Sequence, residues 1–440
     1  MDAKNQLLRR CGALSGSAKA LALKVHEFAE LPMQEQQSAA LMKQTLTQHG
    51  FTIQREFELI PTAFAAAFGE GSPTIGLLAE YDGLPNCGAK GRKPGHGCGH
   101  NLLGAASAFA AVALAKQMQA EGIPGTVKLF GCPAEETLIG KVYMARDGAF
   151  DDLDACLAWH PGAGTSVNNG SGTAMDSLTY EFYGKTSHAA GDPHNGRSAL
   201  DAIEIMNVAV NFLREHVASN VRIHYAIMDG GKAPNVVPPY ARSWYYIRGR
   251  DREQVAEISA RVHRCAKAAA MATETRMKRK ILSGVYDRLP NEALAKAMDA
   301  NLRLVGPPRF SKADAEFAKS LGLSGEFSSK VSDISTTRGS GSSDEANVSW
   351  ITPLIVLSAA CWAKGTPGHH YLIHEQARAA AAMKGLAVAV KTLALTAYDL
   401  VTDADLRKRA REEFEKTRDG RAYDPIVPKR QKAPIEDRIP

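Results

Sequence analysis

Apolar positions recur at helical spacing through ALALKVHEFAEL and SAALMKQTLTQHG, so residues 20–50 read as helical with Gly50 as the stop. The period then changes. TIGLLAEYD (74–82) is a short apolar run ending in carboxylates, which is how a buried strand reads. NLLGAASAFAAVALAKQMQAEG follows as a helix with Asn101 as N-cap and Gly122 as stop. Its small residues Gly104, Ala105, Ala106 and Ala108 allow close approach to a sheet. TVKLFGCPAEE is a strand running into a turn at Pro133, and LDACLAWHP is another ending at His160. Alternating strands and helices predict an α/β domain with a mostly parallel sheet.

After Gly172 the texture is different. AMDSLTYEFYGKTSHAA alternates like a half-exposed strand, SALDAIEIMNVAVNFLREHV is an amphipathic helix, and NVRIHYAIMDGG and ARSWYYIRGR alternate again. EQVAEISARVHRCAKAAAMAT is a second helix and ETRMKRKILSG a closing strand. This is a small α+β layer of roughly 115 residues, an ordinary domain size. From Pro290 helical patterns return, ITPLIVLSAACW is another buried strand, and EQARAAAAMKGLAVAVKTLALTAYDLV reads as one long closing helix. The organisation expected is a discontinuous domain, 1–173 and 290–440, with a second domain, 174–289, inserted in it. Residues 322–349 are polar and rich in glycine and serine, a loop region.

Composition narrows the class. The chain has 440 residues, 45% of them hydrophobic and 23% charged, which is globular and long enough for more than one domain. The net charge is only +6, and the tail from Arg407 to Pro440 holds eleven Lys/Arg against seven Asp/Glu. No basic stripe marks a folded face, so no nucleic-acid partner is expected. The seven cysteines are odd in number and not spaced as a disulfide framework. The N-terminus lacks an apolar signal core, and runs such as AASAFAAVALA are too short to span a bilayer. A reducing cytoplasm with free thiols, and no membrane, is the expectation.

The chemistry-bearing residues fall beside predicted strand ends: Asp82, Cys98, His100, Glu135, Glu136, His160, and the pair His369 and His370. In an open α/β sheet ligands bind in the crevice outside the carboxyl ends of the strands. Each residue alone has a plain structural reading, and Cys-x-His without a second paired spacing is not a structural zinc motif. Together, Cys98, His100, one glutamate, His160 and one of His369 or His370 form a mixed S/N/O set. It suits zinc or manganese in an open catalytic site. The adjacent carboxylates divide two tasks, Glu136 on the metal and Glu135 toward a water.

AEYDGLP, HGCGHN, CPAEE, AWHP, GKTSHAA, GGKAPNVVP followed by YYIR, GSSDEANVS and GTPGHH occur in an order that resembles the aminoacylase and carboxypeptidase-G type metallo-amidohydrolases. HGCGHN is similar to the cysteine-ligand branch with auxin-conjugate, hippurate and p-aminobenzoyl-glutamate hydrolases. The resemblance implies a phosphorylase/hydrolase-like catalytic domain with an inserted ferredoxin-like lid and dimerisation domain. It implies Cys98, His100, Glu136, His160 and His369 as ligands of one or two Zn²⁺ or Mn²⁺ ions, Glu135 as general acid/base, and Asp82 orienting a ligand histidine. His188 would stabilise the oxyanion, often from the partner subunit of a homodimer. Asn235 and Arg248 would hold a small substrate bearing a carboxylate, and Asp344 lies in a matching loop. On their own, His188 reads as a surface strand histidine, Asn235 as a turn former and Arg248 as an exposed strand residue. Glu80 stands where many members place a metal-binding histidine, and Met383 where the p-aminobenzoyl-glutamate type has a histidine.

The activity implied is hydrolysis of an N-acyl or N-aroyl amino acid amide by metal-activated water. The alternatives are hydrolytic deamination of an aromatic amine, as in nitroanthranilate aminohydrolase, a catalytically silent metal-binding module, and a thiol enzyme using Cys98. The last is disfavoured because Cys98 and His100, two apart in a tight loop, cannot easily face each other. The paired H-x-E and P-C-x-x-C motifs of cytidine-deaminase-type zinc enzymes are absent.

Overall fold

The computed structural model describes residues 3–435. Its strands are, in chain order, β1 (Thr52–Glu56), β2 (Phe64–Glu70), β3 (Thr74–Glu80), β4 (Gly125–Cys132), β5 (Ala155–Gly162) and β6 (Ser166–Asn168). Then come β7 (Ala174–Tyr183), β8 (Arg222–Asp229), β9 (Tyr240–Gly249), β10 (Arg276–Val285) and β11 (Leu354–Ala360). Seven of them form one sheet in the order β1-β2-β4-β3-β5-β11-β6. The middle four, β4, β3, β5 and β11, are mutually parallel, and β1, β2 and β6 add antiparallel flanks. The four parallel strands are the apolar runs of the sequence, buried on both sides as parallel strands are.

The two faces separate by the period of two. Ile75, Leu77 and Ala79 of β3, Ala155, Leu157 and Trp159 of β5, and Ile355, Leu357 and Ala359 of β11 enter one core. Leu78, Cys156, Ala158, Leu354 and Val356 enter the other. Glu80 and His160 continue that second series at the strand ends, so both side chains emerge at the carboxyl edge of one face. The first core is covered by long helices, among them His100–Glu121 and Ala380–Thr402. The latter is apolar and long enough to cross a membrane, but 78% of its apolar window is buried in the protein.

Helix His100–Glu121 lies hard against β3. A Cβ placed on Gly104 would stand 2.5 Å from the backbone oxygen of Glu80. The small-residue face thus brings His100, one turn earlier, over the end of that strand. The helix begins differently from expectation. Gly99, at φ 79°, occupies the N-cap, and Asn101 is inside the helix. Its Nδ2 donates to Ala22 O at 3.1 Å and to Ala377 O at 3.3 Å, tying three helices together.

Three further expectations change. Residues 20–50 are not one helix: Ser15–Phe28 and Gln36–Gln48 are separated by a turn around Pro32, and Ala3–Ala13 precedes them. The closing helix is two, Tyr371–Ala377 and Ala380–Thr402, broken where Ala379 is extended (φ −82°, ψ 163°). The helix Ala404–Arg418 is followed by irregular chain to residue 435, and the last five residues of the basic tail lie outside the described ones.

β7 to β10 form the second sheet, order β10-β7-β9-β8, all antiparallel. With helices Ala199–Leu213 and Arg252–Ala272 the sequence of elements is βαββαβ, which is ferredoxin-like. The polar stretch 322–349 runs past β6, where Val331 bridges Thr165 and Ser335 bridges Asn168, and ends in the short helix Glu345–Val348.

Candidate metal centre and substrate pocket

Four strand ends and one helix start converge on a pocket of about 360 Å³. His100 Nδ1 donates to Asp82 Oδ1 at 2.8 Å, and Asp82 Oδ2 accepts from the backbone N–H of Glu136 at 3.0 Å. One carboxylate therefore sets both the ring of His100 and the turn that follows β4. His100 Nε2 is left buried and without a hydrogen-bond partner, as is Glu136 Oε1. Around Nε2 stand Glu80 Oε2 at 3.5 Å, Glu135 Oε2 at 3.7 Å and Glu136 Oε1 at 3.9 Å. Cys98 Sγ lies 3.2 Å from His160 Nε2, whose Nδ1 donates to Pro161 O at 2.7 Å. His369 Nε2 lies 3.4 Å from Glu136 Oε2.

Donor atoms fall into three overlapping groups, each within 4.8 Å: Cys98, His100 and His160; Cys98, Glu136 and His369; Glu80, His100 and Glu135. This set fits a divalent cation. Both buried histidines have one nitrogen fixed by an oxygen acceptor and the other turned inward, the usual arrangement of metal-bound imidazoles. The electrostatics agree. Burial, then the neighbouring carboxylates, hold Glu135 well above the ordinary carboxylate range. Glu136 is pushed to about 7, chiefly by burial and against the pull of His100. Burial and Glu136 push the Cys98 thiol up to about 12. A nucleophilic cysteine needs the opposite shift, which argues against the thiol-enzyme alternative. Crowded carboxylates and a thiol that resist ionisation together are what a bound cation would relieve.

Two buried charges behind the pocket carried no signal as site residues. Lys141 Nζ lies 2.7 Å from Glu80 Oε1 and 2.5 Å from Asp344 Oδ1, and its backbone N–H donates to Asp344 Oδ2 at 2.8 Å. A lone lysine in an apolar run (IGKVYMA) was the available hint. Glu35, fully buried, accepts from the N–H of Ala134 at 2.9 Å and from Thr62 Oγ1 at 2.9 Å. It thereby holds Ala134 at φ 55°, next to Glu135. Glu80, read from sequence only as a departure, lines the pocket itself.

The other expected site residues divide. Arg248 lines the pocket, its Nη1 donating to Ser342 Oγ at 3.0 Å. Asp344 is withheld from the pocket wall by its pairing with Lys141. His370 is the N-cap of helix Tyr371–Ala377, its Nδ1 accepting from Leu372 N–H, so of the two histidines it is His369 that turns to the site. His188 and Asn235 are not brought to the pocket within one chain. They are exposed on the inserted domain, where His188 bridges Val236 and its Nδ1 accepts from the N–H groups of Ala190 and Gly191. The reason is the rigid link between them: Ala189 N–H donates to Asn235 O, keeping both on the same turn away from β3 to β5. Met383 is core, packed on the first face of the large sheet.

Comparison with known proteins agrees with this architecture. Residues 174–274 match a family model described as a peptidase dimerisation domain. Over 453 aligned residues the chain is 35% identical to one of the two kinds of chain that make up the p-aminobenzoyl-glutamate hydrolase of Escherichia coli (strain K12), covering 93% of this chain and 94% of that protein. It is 31% identical over 380 residues to Xaa-Arg dipeptidase of Mus musculus, covering 83% and 80%. The YXEP protein of Bacillus subtilis, described as a dinuclear metal-binding peptidase of the M20 family, shares the fold. Its TM-score is 0.54 at 18% identity, covering 86% of this chain and 98% of that one. The chain belongs to the M20 peptidase family, metal-dependent hydrolases of amide bonds.

Proposed function

We propose that this protein hydrolyses the amide bond of small N-acyl or N-aroyl amino acids of the aminobenzoyl-glutamate kind. The observation that carries the reading is the gathering of Cys98, His100, Glu136, His160 and His369 around one pocket with Glu135 beside them. Those five side chains would hold zinc or manganese, as one or two ions. A bound ion supplies Lewis-acid polarisation of the amide carbonyl and an acidified water. Glu135 takes the proton from the attacking water and hands it to the leaving amine nitrogen. Its buried, raised-pKa carboxyl retains that proton long enough to deliver it. Asp82 keeps the ring of His100 in one orientation. Arg248, with its planar fork, receives the substrate carboxylate.

His188 and Asn235 enter this scheme from a second copy of the chain or by closure of the inserted domain. The homodimer proposed here uses helix Ala199–Leu213, which exposes Ile205, Val208 and Phe212, and the edge strand β8, which exposes Ile227. An unpaired strand edge beside apolar helix residues is a surface built for partnering.

The test is a hydrolysis screen of N-acyl and N-aroyl amino acids, with aminobenzoates for deamination, on metal-stripped protein reloaded with Zn²⁺ or Mn²⁺. Amino-acid release that falls by roughly 10²–10⁴-fold in Glu135→Gln is expected. Near-native turnover in that variant removes Glu135 from the reaction, and ammonia as the product replaces amide hydrolysis by deamination.

A further inference from the structure

Glu345 lies on the wall of the same pocket as Arg248 and Arg288. It takes no part in the donor groups around Cys98 and His100. Its Oε1 stands 3.3 Å from Arg288 Nη1. The rest of that guanidinium is tethered to backbone, with Nε and Nη2 both donating to Gly170 O at 2.9 and 2.6 Å. Arg288 is thus locked, and it locks Glu345 through a single oxygen. The other, Oε2, is buried and has no hydrogen-bond partner. Arg248 is the complementary case. Its guanidinium meets Ser342 Oγ at 3.0 Å and lies 5.6 Å from the centre of the Tyr246 ring, and among the described residues no carboxylate pairs with it. Leu138, Ala158 and Val356 supply apolar wall in the same pocket.

We propose that Glu345 is a specificity residue: Arg248 takes a carboxylate of the substrate, Glu345 Oε2 takes an N–H donor on the same substrate, and the pocket selects amides that carry both. The inference rests on the amide-hydrolase reading above. Its physical basis is the cost of an unmet acceptor. A site that holds a buried polar group ready for a substrate N–H rejects the analogue lacking it far more strongly than an apolar pocket rejects a missing methylene. The donor is either an amine on the acyl side or a cationic group on the amino-acid side chain. If Glu345 and Arg288 were only a brace for the short helix Glu345–Val348, their loss would depress all substrates alike.

Two matched pairs separate these cases on the metal-loaded full chain. N-(4-aminobenzoyl)-glutamate against N-benzoyl-glutamate places the donor on the acyl side. N-benzoyl-arginine against N-benzoyl-norleucine places it on the amino-acid side. The expected result is a preference of tenfold or more in kcat/KM for the donor-bearing member of one pair. It shrinks in Glu345→Gln and falls to near unity in the double variant Glu345→Leu/Arg288→Leu, which removes both charges and leaves neither buried alone. Equal kcat/KM within both pairs, or a preference that survives both variants, overturns the assignment. The same pairs are measured by calorimetric binding to Glu135→Gln protein. If no substrate turns over but the binding preference is present and Glu345-dependent, the hydrolytic reading falls and the Glu345 assignment stands.

Discussion

Lys141 Nζ sits 2.7 Å from Glu80 Oε1 with its own side chain entirely shielded from solvent. Asp344 closes the triad from the other side at 2.5 Å. The lysine is the fixed positive charge that lets two carboxylates stay buried beside the donor cluster. Its ammonium is held well above the ordinary range, because Asp344 and Glu80 outweigh the burial that would lower it. Removing one member of a buried ionic group leaves the rest uncompensated and costs about 3–5 kcal/mol. Lys141→Ala is therefore expected to lower the denaturation midpoint sharply. Lys141→Met/Asp344→Leu, which removes one charge of each sign, should recover part of the loss. Equilibrium denaturation checks both, and a Lys141→Ala midpoint equal to wild type would mean that the triad carries no stability.

Asp82 acts through His100. Its Oδ1 holds Nδ1 of the ring and its Oδ2 holds the N–H of Glu136, so Asp82→Asn keeps an acceptor but loses the charge that fixes the imidazole. Substitutions of such orienting carboxylates typically cost 10–100-fold in metal affinity. That range is the expected loss in a chelator-competition titration with Zn²⁺. Folding should change little, since Asn fits the same space. An unchanged dissociation constant would show that His100 needs no orienting partner.

Much of this arrangement was legible in the chain. The strands β3, β4, β5 and β11 are short apolar runs bounded by turn residues, and the donor residues sit at their ends because parallel strands deliver their carboxyl edges to one crevice. The missed strands are explicable. β2 reads FAAAFGE, with alanines in place of β-branched residues, and its register against β4 rests on pairing across some sixty positions. The break after Ala377 has no proline or glycine to announce it. It comes from Gln376, whose side chain accepts from Ala363 N–H and donates to Thr366 Oγ1, binding the short helix to the loop that carries His369. Lys141 was illegible for the same reason. A lysine reads as solvated until Glu80 and Asp344, distant in sequence, are seen on either side of it. His188 and Asn235 show the converse limit, since motif order names them but one chain's geometry keeps them on the inserted domain.

Gly104 is where the helix bearing His100 touches the sheet, and a methyl there would stand 3.0 Å from Met42 Cε as well as 2.5 Å from Glu80 O. The methionine end can move, but the strand backbone cannot. Overpacking of this kind costs typically 1–3 kcal/mol. Gly104→Ala should lower stability by about that amount and, by lifting the helix start off β3, weaken Zn²⁺ binding along with it. Ala106→Gly, in the same helix, is the control for altered helix propensity, about 1 kcal/mol. Loss of stability with intact metal affinity in Gly104→Ala would place the slack in the helix rather than between His100 and its neighbours.

Three imidazoles join the two ligand-bearing loops from behind. The backbone N–H of His96 donates to His374 Nδ1 at 3.1 Å, the rings of His374 and His26 stack at 4.0 Å, and His26 Nε2 donates to His374 O at 2.8 Å. An Nδ1 that accepts an N–H bond must be unprotonated, so the geometry requires neutral His374. Burial, with His26 beside it, lowers His374 to about 4, and Glu375 only partly offsets this. His26 is lowered too, mainly by burial, against the bond to His374 O. Above the ordinary histidine pKa of about 6.5 both rings are neutral whether the chain is folded or not, and they add no pH dependence. Below it the unfolded chain takes up protons that the folded one refuses, so stability falls as pH falls, and the contribution of His374 levels off below about 4. The melting temperature should therefore decline from pH 7 to pH 4.5, and less steeply in His374→Gln, whose amide oxygen still accepts the His96 bond without titrating. Parallel slopes for the two proteins would mean that His374 is protonated in the native state, and that the bond from His96 does not hold the loops together.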